Sequence, residues 1–293
     1  MRAELLFAAR GELVEGPRQL TSGELAWVDI RRGEVHRLDR STATHRVTVL
    51  GEPVGAVVET GDGLLLGACR SGLRMVGSDA GSSPLVVPLP AGAADLRMND
   101  GKADPAGRFV GGTMSTHSPP RPHAGTLWSF GHDGPVRLVG GITISNGLAW
   151  SGDGSTMFYI DTPTHRVDAF DYDVATGRVS GRRMVVTIAA DDGDPDGMCI
   201  DVEGGLWVAL WGGAAVHRYV AGRLDAIVEV PTPYVTCPAF GGPDLDELVV
   251  TTASEPFGAP TRGAGDVYVA RPGATGPAPH PVDLRIVAPA HGS

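Results

Sequence analysis

The hydrophobic positions of the chain fall in short runs that follow turn residues, and helical periodicity is nearly absent. Six segments share one layout, in which a turn with glycine or proline precedes a short apolar or aromatic run. The segments are "SGELAWVDI" from Ser22, "GDGLLLGAC" from Gly61, "PAGRFVGGTM" from Pro105, "GDGSTMFYIDT" from Gly152, "VEGGLWVALWGG" from Val202 and "PDLDELVVTTA" from Pro243. Short apolar runs bounded by turn residues indicate β-strands.

These segments recur with a long period. Their first strand residues are predicted to be Leu25, Leu64, Arg108, Thr156, Leu206 and Leu248, which are 39, 44, 48, 50 and 42 residues apart. Most are followed by a second strand, read in "GEVHRLD", "GTLWSF", "HRVDAFDYD", "AAVHRYV" and "GDVYVA". A repeat of roughly 40–50 residues with several strands in each unit is typical of a β-propeller. A β-sandwich would lack this similarity between distant segments.

The six repeats therefore predict an all-β fold, a six-bladed β-propeller with one four-stranded blade per repeat around a central channel. Residues 1–293 are expected to form one domain, and "AELLFAAR" from Ala3 is expected to join the last blade and close the ring. A loop of about residues 115–125, "STHSPPRPHAG", interrupts the third repeat and is predicted to lie over one end of the channel. Its His117 and His123 are candidates for substrate contact, with ordinary surface positions as the alternative.

Composition narrows the possible partners and location. The 42 glycines and 23 prolines fit a fold with many tight turns. The net charge is −10 and no run of Lys or Arg stands out, which argues against nucleic acid as a partner. The three cysteines, Cys69, Cys199 and Cys237, match no metal spacing and leave one unpaired, which favours a reducing compartment. With no signal-peptide pattern and no apolar run of bilayer length, we expect a cytoplasmic protein without a membrane partner, either a monomer or a homodimer.

Candidate chemistry lies in polar residues that precede the apolar runs. They are Glu15 in "LVEGP", Arg97 and Asn99 in "LRMND", Asn146 in "ISNGLAW" and Asp196 in "DPDGMCID". We expect them at the turns that feed the innermost strands of the blades. Taken singly, each is an ordinary turn or surface residue.

Their common register makes them more informative. In three segments an Asn or Asp stands before glycine, directly or one residue removed, and an apolar strand begins nine or ten residues later. Because equivalent positions in successive blades face the same axis, we expect Asn99, Asn146 and Asp196 to converge. Carboxylate and amide oxygens suit a hard divalent cation. Glu15, Asn146 and Asp196 are thus predicted to bind one metal ion and to leave positions open for water and substrate.

The segments "NDGKADPAGRF", "ISNGLAWS", "VDAFDYDVATG" and "PDGMCIDVEGGLWVA" together resemble the family of senescence marker protein 30, gluconolactonase and luciferin-regenerating enzyme. The resemblance implies a six-bladed propeller with one divalent metal at the mouth of the channel, and hydrolysis of sugar lactones to aldonic acids. By resemblance, Glu15, Asn146 and Asp196 are the metal ligands, and Asp196 is also the general base. Arg97 and Asn99 would contact substrate oxygens. Oxygen ligands leave Ca²⁺, Mg²⁺, Mn²⁺, Zn²⁺ and Fe²⁺ open.

The chain departs from the family pattern in two places. Arg18 and Gln19 follow the Glu-Gly-Pro segment where members often have an aromatic residue, and Thr116 and His117 stand where some members have a carboxylate. Both changes are expected on the substrate side, which leaves the lactone undetermined.

Alternatives to a sugar lactonase also remain. A phosphotriesterase-like hydrolase or a non-sugar lactonase could use the same scaffold, and a non-catalytic propeller could bind a small molecule. No G-x-S-x-G elbow is present, so a covalent acyl-enzyme is not indicated. Near the candidate residues, Asp100, Lys102 and Asp104 are expected to fix the turn that presents Arg97 and Asn99.

Overall fold

A computed structural model describes residues 1–77, 83–90, 92–132, 134–254 and 262–288 of the chain. The last five residues of the predicted domain therefore lie outside the described part. Six four-stranded antiparallel sheets follow one another along the sequence as the six blades of a propeller. The predicted fold class is confirmed.

The strands are numbered in chain order, starting with β1 (Glu4–Phe7). Blade one contains β2 (Val14–Gln19), β3 (Leu25–Asp29), β4 (Glu34–Asp39) and β5 (Thr44–Val49). Blade two contains β6 (Val54–Glu59), β7 (Leu65–Cys69), β8 (Gly72–Val76) and β9 (Leu85–Pro88). Blade three contains β10 (Leu96–Ala103), β11 (Phe109–Ser115), β12 (Gly125–Gly131) and β13 (Gly134–Ile142).

Blade four contains β14 (Ser145–Trp150), β15 (Thr156–Asp161), β16 (Arg166–Asp173) and β17 (Arg178–Thr187). Blade five contains β18 (Asp194–Ile200), β19 (Leu206–Trp211), β20 (Ala215–Val220) and β21 (Arg223–Glu229). Blade six contains β22 (Val235–Gly241), β23 (Glu247–Thr252) and β24 (Val267–Ala270). The helical elements among the described residues are two 3₁₀ turns, Thr162–Thr164 and Ala190–Asp192, and one short helix, α1 (Leu284–Val287).

The predicted strand starts correspond to the second strand of each blade. They match β3, β15 and β19 to the residue, and they differ by one residue for β7, β11 and β23. These strands are almost entirely buried, since both of their faces pack against neighbouring blades. Continuous apolar runs are expected for strands covered on both faces.

The ring is closed by the first strand of the chain, as predicted from "AELLFAAR". β1 pairs with β24 in antiparallel register, with Glu4 opposite Val269 and Leu5 opposite Tyr268. The Phe7 ring also packs against Trp27 of blade one, at 5.5 Å between ring centroids. The same short strand therefore completes blade six and contacts blade one.

Every innermost strand contains a β-bulge or a similar shift of register against its neighbour. The shifts lie between Glu15 and Arg18 in β2, Val54 and Ala56 in β6, Met98 and Asp100 in β10, Asn146 and Leu148 in β14, Pro195 and Met198 in β18, and Val235 and Cys237 in β22. A bulge bends the strand and re-aims a side chain. The six bulges thus lie at equivalent positions of the blades, and all except that of β6 contain a polar residue.

The segment 276–283, which precedes α1, crosses one end of the channel. Gly276 N donates to Leu245 O in blade six, Val282 N donates to Glu59 O in blade two, and Asp283 N donates to Gly107 O in blade three. These backbone hydrogen bonds hold the segment across the end of the channel.

Candidate metal centre and substrate cleft

The predicted site residues lie within the innermost strands rather than at the turns that feed them. Glu15 is in β2, Arg97 and Asn99 are in β10, Asn146 is in β14 and Asp196 is in β18. The prediction of turns was wrong because glycine beside a polar residue here marks a bulge. Gly16 and Gly147 have φ of 56° and 30° and occupy the bulges of β2 and β14.

These five residues line one cleft of about 430 Å³ at one mouth of the channel. Its walls come from the innermost strands, from residues that end or follow the second strands, and from the loop after β11. The other lining residues are Leu13, Ile30, Arg31, Met114, Ser115, Thr116, His117, Ser118, Pro120, Ile144, Thr162, Asp194 and Trp211. A concave site of this volume is large enough for a small-molecule ligand.

A chain of hydrogen bonds crosses the floor of the cleft from blade three to blade five. Arg97 Nη1 donates to Asn99 Oδ1 at 2.7 Å, and Asn99 Nδ2 donates to Asn146 Oδ1 at 2.9 Å. Asn146 Nδ2 donates to Thr162 Oγ1 at 2.8 Å, and that hydroxyl donates to Pro195 O at 2.8 Å. The chain fixes the orientation of both amides. It leaves Asn146 Oδ1 with one further lone pair for a ligand.

Two carboxylates complete the floor. Burial raises the pKa of Glu15 to about 8, with a further contribution from Asp100, and Gly16 N donates to Glu15 Oε2 at 2.8 Å. Burial also raises the pKa of Asp196 well above its ordinary value, and the nearby Glu15 adds to this. Within the described ranges the Asp196 side chain accepts no hydrogen bond. Buried carboxylates that repel each other in this way mark candidate functional sites.

The donor set fits a hard divalent cation. Glu15 and Asp196 offer carboxylate oxygens and Asn146 offers an amide oxygen, the ligand types that such ions prefer. A cation would also relieve the repulsion between the two buried carboxylates. Among the described residues, no group of three or more His, Cys, Asp or Glu side chains is placed to hold a metal ion. The candidate set mixes two carboxylates with one amide.

The loop after β11 separates the two candidate histidines. His117 lines the cleft, and its Nε2 lies 3.7 Å from Asp95 Oδ2 at the exposed rim. His123 is not among the lining residues, and its Nδ1 lies 3.0 Å from Gly141 O. Of the two, His117 is the one in position to meet a ligand.

Sequence reasoning missed several lining residues, among them the polar or aromatic Arg31, Thr162 and Trp211. Each ends or closely follows the second strand of a blade: Arg31 comes two residues after β3, Thr162 follows β15 and Trp211 ends β19. All second strands run in the same direction, so their ends lie at the same mouth. The repeat alone could have identified these positions.

Two further expectations need correction. Arg18 and Gln19 do not lie on the substrate side. Arg18 comes three residues after Glu15 along β2, beyond the bulge, so that both residues lie at the opposite end of the channel and line a second cavity there. None of the three residues fixes a turn that presents Arg97 and Asn99, because those two residues lie in β10 itself. Asp104 fixes the turn between β10 and β11, by accepting from Ala106 N at 2.9 Å and Arg108 N at 2.7 Å. Asp100 and Lys102 lie in β10 instead, and Lys102 Nζ donates to Met198 O of blade five.

The fold and the cleft define a class of protein, a six-bladed β-propeller with an oxygen-rich, partly acidic cleft at one mouth of its channel. The family model described as "SMP-30/Gluconolactonase/LRE-like region" matches residues 13–254. The chain belongs to this family, which confirms the resemblance read from its motifs.

Individual relatives agree with this assignment. The chain is 37% identical to regucalcin of Xenopus laevis over 239 residues, which cover 80% of each protein. It superposes on the structure of a luciferin-regenerating enzyme with a TM-score of 0.88 and 32% identity, covering 96% of this chain and 99% of that one. A calcium-binding protein, regucalcin, from Agrobacterium tumefaciens gives a TM-score of 0.86 and 30% identity over 93% of this chain and 94% of that one. The family therefore contains proteins with different names and roles.

In the described part of the structure, no helix has both the length and the apolar character needed to cross a bilayer.

Proposed function

We propose that the protein hydrolyses a sugar lactone to the corresponding aldonic acid, with one divalent cation held by Glu15, Asn146 and Asp196. The observation that carries this proposal is the convergence of these oxygen donors on the floor of one cleft, beside an Asp196 carboxylate with no hydrogen-bond partner among the described residues. Membership of a family whose description includes gluconolactonase supports the reaction class. The calcium-binding relative from Agrobacterium tumefaciens supports a divalent cation.

The side chains suit the hydrolysis of a cyclic ester. When bound, the cation would polarise the lactone carbonyl and lower the pKa of a water molecule beside it. Asp196 accepts a proton from the attacking water as the general base. Water oxygen bonds to the carbonyl carbon, the bond from that carbon to the ring oxygen breaks, and the ring oxygen takes a proton to become a hydroxyl. The product is an open-chain carboxylic acid.

Arg97 and Asn99 would orient the substrate. The Arg97 guanidinium donates to Asn99 Oδ1 and, at 3.0 Å, to Met98 O. Its Nε and Nη2 have no partner among the described residues and can donate into the cleft. Donors fixed in this way can bind ring hydroxyls or the developing oxyanion without reorganisation. His117 at the rim is the further candidate for contact with a distal hydroxyl.

The test is proton release from a panel of five- and six-carbon aldonolactones. Protein stripped of metal by a chelator is assayed alone and with Ca²⁺, Mg²⁺, Mn²⁺, Zn²⁺ and Fe²⁺ in turn, beside Asp196→Ala. We expect turnover that a metal restores and that Asp196→Ala abolishes, while circular dichroism shows that the variant is folded.

The same assay separates the alternatives. Absence of aldonolactone turnover with every metal, from folded protein, would overturn the sugar-lactonase proposal. Metal-dependent turnover of only non-sugar lactones or phosphotriesters would assign another hydrolase activity to the same residues. If no substrate is turned over but a sugar acid binds, the cleft is a binding site.

A reducing, cytoplasmic location is part of this proposal. Cys69, Cys199 and Cys237 are all buried free thiols, and burial raises the pKa of Cys199 to about 12. Thiols that are neither paired nor reactive are typical of proteins in reducing compartments. Fractionation of the native cell with an activity assay checks the location.

A further inference from the structure

Arg18 has no part in the cleft, although it is one of the departures of this chain from the family pattern. It lies near the opposite end of the channel and is only 9% exposed. Its Nη2 donates to His280 O in the segment that crosses this end, and its Nε has no hydrogen-bond partner in the described structure. A buried guanidinium with one backbone contact retains most of its capacity to donate.

Arg18 lines a second cavity, of about 130 Å³. Its inner walls come from the ends of the innermost strands of five blades, and its outer wall is Pro277–His280. The other lining residues are Pro17, Gln19, Lys102, Ala103, Leu148, Ala149, Trp150, Cys199, Ile200, Ala239 and Phe240. Among the described residues that line this cavity, Arg18 and Lys102 carry a charge, and none is an Asp or a Glu.

In the described part of the structure neither cation has a carboxylate in contact, although the charge of Lys102 limits the rise in the pKa of Asp100 that burial causes. Lys102 Nζ donates to a main-chain oxygen, Met198 O, and no Asp or Glu oxygen among the described residues lies within 4.0 Å of the Arg18 or Lys102 nitrogens. The nearest carboxylate to influence Arg18 is Glu59, which already accepts from Thr21 N at 3.0 Å and Thr21 Oγ1 at 2.6 Å. Burial without a contacting counter-ion is costly for a cation. Burial accordingly lowers the pKa of Arg18 to about 10.

We propose that this cavity is a binding site for a small monovalent anion, and that its preferred ligand is a short-chain carboxylate. Arg18 and Lys102 supply the donors, since a guanidinium matches a carboxylate with two parallel hydrogen bonds and an ammonium adds a point charge. Leu148, Trp150 and Phe240 supply apolar walls for a short alkyl tail. The site lies at the opposite end of the channel from the cleft, and it does not depend on the lactonase proposal.

The anion site is tested by equilibrium dialysis of the full-length protein with radiolabelled butyrate, at fixed pH and ionic strength. We expect saturable binding of one butyrate per chain. Arg18→Met removes the charge with little change in length, and we expect it to weaken binding at least tenfold. Arg46→Met is the matched control, because Arg46 is on the same blade, carries the same charge and has a side chain that is 61% exposed outside the cavity. It should bind butyrate as the wild-type protein does.

Further variants and competing anions identify the class of ligand and provide an answer if the first variant does not fold. If Arg18→Met does not fold, Lys102→Met is used, and Arg18→Lys should retain part of the affinity. Unlabelled acetate should displace butyrate less well than unlabelled butyrate, and chloride least well. Equal displacement by chloride and butyrate would overturn the preference for a carboxylate. Absence of saturable binding, or equal binding by wild type and by both charge-removing variants, would overturn the site itself.

Discussion

The two mouths of the channel are built from the same strands but have opposite charge. β2 supplies Glu15 to the cleft and Arg18 to the second cavity, and β10 supplies Asn99 to the cleft and Lys102 to the second cavity. In both strands three positions along the chain separate the two residues. Position along an innermost strand therefore translates into depth along the channel, and a single strand can serve two chemically different sites.

The largest effect that distinguishes the two ends is expected at Asp196. Asp196→Asn should lower kcat by about 10²–10⁴, because the amide cannot accept a proton from water. Asp194→Asn provides the matched control in the same strand and cleft, since Asp194 Oδ1 already faces His165 Nε2 at 3.2 Å. Proton-release kinetics with the metal-loaded protein check the pair. Equal losses in both variants would show that the cleft responds to any lost charge and that Asp196 is not the base.

Replacing the glycine in the bulge of β14 should disrupt the cleft. Gly147→Ala is expected to lower the free energy of unfolding by about 1–3 kcal/mol and to reduce turnover, because the residue has φ of 30° and a Cβ would lie 2.5 Å from Ile160 Cδ1 and 3.0 Å from Asp196 O. Gly152→Ala, in a turn where a Cβ would meet nothing within 4 Å, should change both quantities little. Urea unfolding and lactone turnover of both variants check this. A fully active, fully stable Gly147→Ala protein would contradict the role given to the bulge.

The stability of the metal-free protein should depend on pH through Glu15 in the cleft. The pKa of Glu15 is raised to about 8, so the folded protein holds a proton that the unfolded chain releases at neutral pH. This contribution to stability is complete below about pH 4.5 and is lost as the pH rises through about 8. We expect the free energy of unfolding to fall over that interval, and metal binding at pH 7 to release protons. Urea unfolding across pH and calorimetry in two buffers of different ionisation enthalpy measure these quantities.

Two variants show which end of the channel causes this pH dependence. Glu15→Gln should flatten the dependence and weaken metal binding. Arg18→Met should leave it in place, since a guanidinium with a pKa of about 10 keeps its charge throughout the interval. A dependence that survives in Glu15→Gln would assign it to another group.

The smallest effect is expected at the rim of the cleft. His117→Ala should raise KM by up to about tenfold with little change in kcat, because a neutral hydrogen bond to substrate contributes about 0.5–1.5 kcal/mol. His123→Ala should change neither constant, as His123 contacts Gly141 O outside the cleft. Steady-state kinetics on the best lactone decide between them. An increased KM in His123→Ala alone would reverse the assignment.

The sequence predicted the fold better than it predicted where the polar side chains of the innermost strands lie along the channel. The second strands were found to within one residue, because strands buried on both faces are continuous apolar runs. The innermost strands were missed, since their bulges interrupt the alternation of side chains and place glycine beside Glu15, Asn146 and Asp196. A bulge shifts the following residues by one position and so reverses the faces they occupy. Arg18 was expected on the substrate side, but its distance of three residues from Glu15 along β2 places it at the opposite end of the channel.

Ring closure by β1 has a consequence for how the protein reaches its folded state. The pairing of Glu4 with Val269 joins residues 265 positions apart, so the first strand to be synthesised has no partner until blade six exists. Contacts between such distant residues slow folding, because the entropy of closing the chain is lost before the pairing stabilises it. Both mouths of the channel gain their complete walls only when the first and last blades meet. Residues that are early in the chain, Glu15 and Arg18 among them, therefore acquire their sites in the last step of folding.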